Sequence, residues 1–174
     1  MMVVNAYKEQ KTKALIKIML KQITTTLKNL LPAEDVHAHC DGPCGVYDPS
    51  SARVAAEAVL SMTKKLIDLE PKDNSKEAQI AYQNTFSRFV QIKEEQAQIA
   101  KEELLILWTD YFKEKHLQQY PDLHTTFWKA AKLCSACKME VNQQHAQELM
   151  DTVQKIHNMF WESKERDIPW YQAS

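Results

Sequence analysis

Apolar and polar residues alternate with helical spacing along most of the chain that follows residue 49. Apolar positions recur at alternating intervals of four and three, which places them on one face of an α-helix. Four stretches carry this pattern and predict helices at about 50–69, 76–108, 122–139 and 142–163. Because the connections between them are short, the sequence predicts an all-α fold, an antiparallel up-and-down four-helix bundle.

Each predicted helix has a seam of residues that we expect to be buried between helices. The seam of the first helix consists of Ala55, Val59, Met62, Leu66 and Leu69. The seam of the second consists of Phe86, Val90, Lys93, Ala97, Ala100, Leu104, Leu107 and, if the helix continues, Tyr111. Lys93 is the one charge on that seam, and we expect its stem to pack while its ammonium group reaches solvent. The first helix should begin with Asp48 as its cap and Pro49 in the first helical position.

The composition supports a helical fold and excludes several classes of function. The chain has only two glycines in 174 residues, and helix-forming residues dominate it. This length is typical of one domain. A net charge of −1 argues against a nucleic-acid-binding protein. Four cysteines in two pairs do not make a secreted disulfide scaffold at this size.

Residues 1–38 differ from the rest of the chain. They hold six lysines and three acidic residues, a net charge of +3. Lys17 and Lys21 interrupt their apolar run, which argues against a signal-peptide core and against stable membrane insertion, although Val36-x-Ala38 resembles a signal-peptidase site. A basic amphipathic helix that touches a membrane surface is an alternative. We favour a cleaved leader or propeptide, and a cytoplasmic protein.

The stretch 39–49 concentrates unusual residues. Both glycines and two of the six prolines of the chain lie in it, together with His39, Cys40 and Cys44. Gly42-Pro43 cannot continue a helix, so the chain can bend there and return Cys44 toward Cys40. Two interpretations follow from these residues: a disulfide or dithiol pair, and a metal site with sulfur and nitrogen ligands.

The number of donors bears on which metal would fit. A zinc site normally takes four side-chain ligands, and this stretch offers three. If the chain were cut before His39, its free α-amine and a backbone amide would form a square-planar set with the two thiolates. That geometry suits Ni(II) or Cu(II).

The sequence His-Cys-Asp-Gly-Pro-Cys-Gly-Val-Tyr-Asp-Pro at 39–49 resembles the nickel hook of nickel-containing superoxide dismutases. The similarity extends through Ala52-Arg53 and returns at 107–113 and 120–124. The resemblance implies conversion of superoxide to dioxygen and hydrogen peroxide by Ni(II)/Ni(III) cycling, with one nickel ion per subunit. It also implies a hook at 39–47 protruding from a four-helix domain at 39–174, a maturation peptidase that cuts before His39, and a homohexamer.

The same resemblance assigns roles to individual residues. The metal ligands are His39, Cys40 and Cys44, with the backbone nitrogen of Cys40 as a further donor. The residues expected around the metal are Asp41, Pro43, Tyr47, Tyr111 and Lys113. Pro43 is expected to follow a cis bond. Tyr47 and Asp41 would order solvent and exclude larger anions, and Tyr111 and Lys113 would supply hydrogen bonding and positive charge.

The chain departs from the family pattern at two positions. Some relatives carry an acidic residue in the first helix and an arginine in the second, which brace the N-terminal histidine. Ala55 and Gln96 stand at those positions here, which puts that support of the imidazole in doubt.

Other candidate sites have simpler explanations. Cys134-Ser-Ala-Cys137 matches a zinc or redox motif, but both cysteines lie on the apolar face of the third helix, and we expect core packing. We expect core or interface roles, rather than metal ligation, for His116, His124, His145 and His157. The tail at 165–174 is a candidate contact with a neighbouring subunit.

Two other function classes are compatible with these residues. One is a non-catalytic bundle with a zinc-binding or disulfide-forming hook, and the other is a helical interaction module without metal. The histidine directly before Cys40 discriminates against the first, because such a hook needs no free N-terminus there. The second leaves the composition of 39–49 unexplained.

Overall fold

The computed structural model describes residues 45–173, and these residues form four α-helices and no strand. Helix α1 spans Ser50–Ile67, α2 spans Lys76–Ile106, α3 spans Leu123–Met139 and α4 spans Gln143–Ser163. One π-helical turn, Leu107–Tyr111, continues α2, and a 3-10 turn, Glu114–Leu117, follows it. The predicted all-α class is confirmed, and the observed helix ends lie close to the predicted ones.

Side chains of the expected kind cap three of the helices. Asp48 Oδ1 accepts a hydrogen bond from the Ser50 backbone N–H at 2.8 Å, and Pro49 already has helical dihedrals of −73° and −1°. The predicted start of α1 is therefore one residue before the observed one, with the same chemistry. Ser75 Oγ accepts from the Ala78 N–H at 3.2 Å, and Asn142 Oδ1 accepts from the first turn of α4.

The helices pack as a closed ring of neighbours. Helix α1 contacts α2 and α4, and α3 also contacts α2 and α4. Each helix thus packs on the one before and the one after it, as in an up-and-down bundle with short connections. The large apolar side chains that this arrangement buries fully include Val59, Leu104, Leu123, Phe127, Leu149, Ile156 and Phe160.

Helix α2 is much longer than its partners. Its 31 residues compare with 18, 17 and 21 in α1, α3 and α4, and at 1.5 Å per residue it spans about 46 Å. Its buried positions begin only at Lys93. Phe86, which we expected in the buried seam, is 38% exposed, because the first half of α2 lacks the full set of neighbours that covers the second half.

The expectation for Lys93 is also wrong. Its side chain is only 1% exposed, and Nζ donates to the backbone carbonyls of Lys138 and Glu140 at 3.1 and 3.0 Å, as well as to that of Cys137. These carbonyls lie at the C-terminal end of α3, where a helix leaves acceptors without internal partners. Desolvation by burial lowers the pKa of Lys93. The ammonium group therefore caps α3 from inside the bundle instead of reaching solvent.

None of the helices between residues 45 and 173 combines the length and the apolar character needed to cross a membrane.

Candidate functional site

The structure describes three of the site residues predicted from sequence: Tyr47, Tyr111 and Lys113. The predicted residues that lie outside the described part of the chain are His39, Cys40, Asp41, Pro43 and Cys44. The cis bond expected before Pro43 falls there as well.

Tyr47 and Tyr111 come together although they belong to distant parts of the sequence. Their ring centroids are 5.7 Å apart, with the ring planes inclined at 55°. Tyr47 stands just before α1, and Tyr111 ends the π-helical turn after α2, where the Phe112 N–H bonds to the Leu107 carbonyl at 3.1 Å. Single π-helical turns are rare in proteins overall, and those that do occur are often found at functional sites. The fold therefore assembles a pair of phenols at the start of α1.

Several contacts hold the Tyr111 side chain in place. Its hydroxyl is hydrogen-bonded to Ser163 Oγ at the end of α4, at 2.6 Å. Its ring lies 4.5 Å from the Phe160 ring and stacks at 12° on the His116 imidazole, centroid to centroid 5.7 Å. Tyr111 is thus fixed by α4 on one side and by the 3-10 turn on the other.

His116 is a neutral support for this tyrosine. Its Nδ1 accepts a hydrogen bond from the Lys113 backbone N–H at 2.9 Å, so the neutral ring carries its proton on Nε2. Burial, followed by the charges of Lys115 and Lys113, lowers the pKa of His116. The expected core role of this histidine is therefore confirmed.

The positive charge next to Tyr111 comes from a residue that the sequence analysis did not select. Lys164 Nζ lies 5.3 Å from the centre of the Tyr111 ring and 4.7 Å from that of Phe160. Lys113 is exposed, and its backbone N–H makes the contact that ties it to His116. Lys164 directly follows α4, and only the packing of α4 against the turn after α2 brings it to the phenols. No local motif in the sequence marks it.

The second cysteine pair is part of the core. Cys134 and Cys137 are free thiols with exposures of 0% and 2%. Burial raises the pKa of Cys134 to about 12 and that of Cys137 to about 11, so both stay protonated at neutral pH. The expectation of core packing is confirmed. Between residues 45 and 173, moreover, no three His, Cys, Asp or Glu side chains are grouped to hold a metal.

The two positions that brace the histidine in some relatives differ sharply in character here. Ala55 is 2% exposed and lies in the hydrophobic core, so it offers no polar side-chain atom. Gln96 is partly buried on α2. A charged brace of the kind expected in those relatives is therefore absent from these two positions.

Comparisons with known proteins agree on one family. The sequence model of the family described as nickel-containing superoxide dismutase matches residues 34–164. The chain is 40% identical over 133 residues to superoxide dismutase [Ni] of Streptomyces seoulensis, a match that covers 76% of this chain and 93% of that protein. Its counterpart from Streptomyces coelicolor is 36% identical over 133 residues, with the same coverage.

Solved structures give the same result. The fold is similar to that of native nickel superoxide dismutase at 36% identity and a TM-score of 0.60, over 72% of this chain and 99% of the other. It is equally similar to a crystal structure of the enzyme with nickel ligation corresponding to the oxidised state. That match has 39% identity and a TM-score of 0.60, over 73% of this chain and 99% of the other.

Proposed function

Because the chain belongs to the nickel-containing superoxide dismutase family, we propose that residues 39–47 form its nickel site, with Tyr111 beside the metal. The protein is a nickel-dependent superoxide dismutase, an oxidoreductase that converts superoxide to dioxygen and hydrogen peroxide. The observation that carries the site assignment is the 5.7 Å contact between the Tyr47 and Tyr111 rings. It brings the end of α2 against the segment that directly follows Cys44.

The residues at 39–44 are chemically suited to nickel. The thiolates of Cys40 and Cys44 are soft donors, and the α-amine and imidazole of His39 and the backbone nitrogen of Cys40 are nitrogen donors. When bound by them, nickel supplies the Ni(II)/Ni(III) couple for both half-reactions of superoxide. The set needs a free amine at His39, so we propose that residues 1–38 are removed and that the mature domain is 39–174.

We assign Tyr47 and Tyr111 to control of access. Superoxide is a small anion, and two phenol rings in contact would narrow the approach to a metal held by the segment that precedes Tyr47. The bond between Tyr111 and Ser163 holds one ring in place before substrate arrives, which avoids an ordering cost during the reaction. Asp41 acts with Tyr47 in ordering solvent, and Pro43 shapes the turn between the two cysteines.

Positive charge close to the phenol pair favours the approach of an anion. Lys164 contacts the Tyr111 ring, and Lys113 stands at the start of the neighbouring 3-10 turn. Cations placed around a site raise the association rate of an anionic substrate, and salt weakens the effect. We therefore include Lys164 with Lys113 in the group that attracts superoxide.

We further propose a homohexamer, a maturation peptidase as a transient partner, and a cytoplasmic location. Exposed apolar side chains on α2, such as Ile80 and Phe86, support association with other copies of the chain. The cytoplasmic location depends on Lys17 and Lys21, which break the apolar run of the leader.

The first test is the intact mass and metal content of the protein purified from its native host. We expect a chain that begins at His39 and carries about one nickel per subunit, because its ligands exist as a set only after cleavage. A chain that retains its leader and carries zinc, or no metal, would contradict the proposal.

A second test compares the two cysteine pairs. Cys40→Ser and Cys44→Ser should each abolish nickel binding and dismutation, because each removes a thiolate ligand. Cys137→Ala is the matched control, since its thiol is buried in the core, and this variant should keep both nickel and activity. Substantial activity in either serine variant would show that the ligands lie elsewhere.

A further inference from the structure

The chain reverses direction where α4 ends. Glu165 has a positive φ of 56°, and its N–H donates to the Glu162 carbonyl at 2.9 Å. The Arg166 N–H donates to the Trp161 carbonyl at 3.0 Å. These two bonds and the left-handed residue between them form a Schellman turn, a common way to end a helix. The turn sends residues 166–173 back toward the bundle.

This C-terminal tail, residues 165–173, first packs on α4. His157 Nε2 is hydrogen-bonded to the Ile168 carbonyl at 2.9 Å. The Trp170 ring meets the His157 ring edge to face at 5.3 Å, and Trp170 also packs on the hydrophobic core. These contacts form within the chain, and the predicted contact of the tail with a neighbouring subunit stays a prediction.

The tail then crosses to α1. The Arg53 guanidinium lies 4.2 Å from the centre of the Tyr171 ring, and the Ala173 backbone N–H donates to Glu57 Oε1 at 2.6 Å. Arg53 and Glu57 form an ion pair of 2.8 Å and are only 5% and 7% exposed. A buried ion pair stabilises a fold only when its remaining hydrogen-bonding groups are also satisfied. The tail supplies part of this hydrogen bonding through the Ala173 N–H, and the Tyr171 ring packs on the guanidinium.

The position of these contacts links the tail to the functional end of the molecule. Arg53 and Glu57 lie on the first two turns of α1, immediately after the segment that carries Tyr47. The tail begins at 165, where the match to the family model has ended at residue 164. The tail thus lies beyond the part of the chain that the family model matches.

We propose that residues 165–173 are a clasp that holds the first two turns of α1 against α4. The clasp fixes the end of α1 from which the metal-binding segment extends, and it thereby slows the loss of nickel. Arg53 and Glu57 are positioning residues in this arrangement, because they act through α1 and not on the substrate. The link to nickel depends on the function proposed above, whereas the clasp itself does not.

The clasp is tested in the full chain with the variant Tyr171→Ala. Removing the ring under Arg53 should speed amide hydrogen exchange in the first two turns of α1 roughly threefold, in metal-free protein. Gln172→Ala is the matched control, because Gln172 is the exposed neighbour in the same tail. A chain that ends at Lys164 should show an increase of roughly tenfold or more, since it also lacks the hydrogen bond to Glu57. Unchanged exchange in the folded Tyr171→Ala variant would overturn the clasp.

The link to nickel has a separate readout. Nickel release to an excess of chelator should be several-fold faster in Tyr171→Ala than in Gln172→Ala, because α1 holds the metal-binding segment less firmly. Faster exchange with unchanged nickel release would overturn the link and leave the clasp intact. If the chain with its tail bound no nickel at all, the proposed function would fail, and the exchange result would still decide the clasp.

Discussion

The two halves of α2 follow the same apolar pattern but have different surroundings. From Lys93 onward one face of the helix is buried in the bundle, and the helix continues into the π-helical turn that ends at Tyr111, a member of the phenol pair. Before Lys93 the same face carries Phe86, which is 38% exposed. One half thus builds the core and supports the site, and the other presents apolar surface outside the bundle. A regular apolar stripe therefore identifies the apolar face of a helix, but it does not show which neighbour buries that face.

The largest effect is expected from Lys93, the first buried residue of the enclosed half. Lys93→Met keeps most of the side-chain volume but leaves carbonyls at the end of α3 without a donor. We expect the free energy of unfolding to fall by about 3 kcal/mol, measured by urea denaturation. Lys76→Met, in the exposed half, is the control and should change stability by no more than about 0.5 kcal/mol. Similar losses in both variants would show that the buried cap contributes little.

The exposed half is tested at Phe86. Phe86→Glu should leave the fold intact and weaken association between chains at least about tenfold, because it places a charge on the exposed apolar face. Analytical ultracentrifugation measures the association, and circular dichroism checks the helical content. Gln91→Glu adds the same charge at an exposed polar position of α2 and should leave association nearly unchanged. An unaltered assembly in Phe86→Glu would mean that this face is not the one the chains use.

Two tyrosines allow a finer comparison of these regions. Tyr82 lies in the exposed half of α2, and Tyr111 lies in the π-helical turn that continues the buried half. Tyr111→Phe removes the hydrogen bond to Ser163 but keeps the ring. We expect a several-fold loss of kcat/KM and a loss of about 1 kcal/mol in stability. Tyr82→Phe makes the same chemical change in the exposed half and should alter neither quantity measurably. Equal activity in the two variants would show that the Tyr111 hydroxyl and its bond to Ser163 have no role in the reaction.

Much of this architecture follows from the sequence, and the exceptions have physical reasons. The helices were predictable because the spacing of apolar residues and capping residues such as Asp48 are local features of the sequence. The burial of Cys134 was predictable from its place on an apolar helix face. The exposure of Phe86 was not predictable, since it depends on how far partner helices extend. Nor were the positions of Lys93 and Lys164, whose charged groups meet partners far away in sequence. The ligand set at 39–44 was implied by the resemblance of residues 39–49 to the nickel hook of the family, because the residues alone left a dithiol pair and a metal site open. Its geometry lies outside the described residues.

The smallest effect is expected from Lys164, and it separates charge from structure. Lys164→Gln should lower kcat/KM about two- to threefold at low ionic strength, because one cation near the phenol pair is lost. The difference should shrink as salt is added, since screening acts over about 10 Å at 0.1 M. Lys164→Arg keeps the charge and should keep the salt dependence of the unaltered protein. Lys76→Gln is the second control, because it removes a charge far from Tyr111 along α2, and it should leave kcat/KM nearly unchanged. If the loss in Lys164→Gln were independent of salt, the lysine would act by packing on Tyr111 and Phe160. Its ammonium group would then have no role in attracting superoxide.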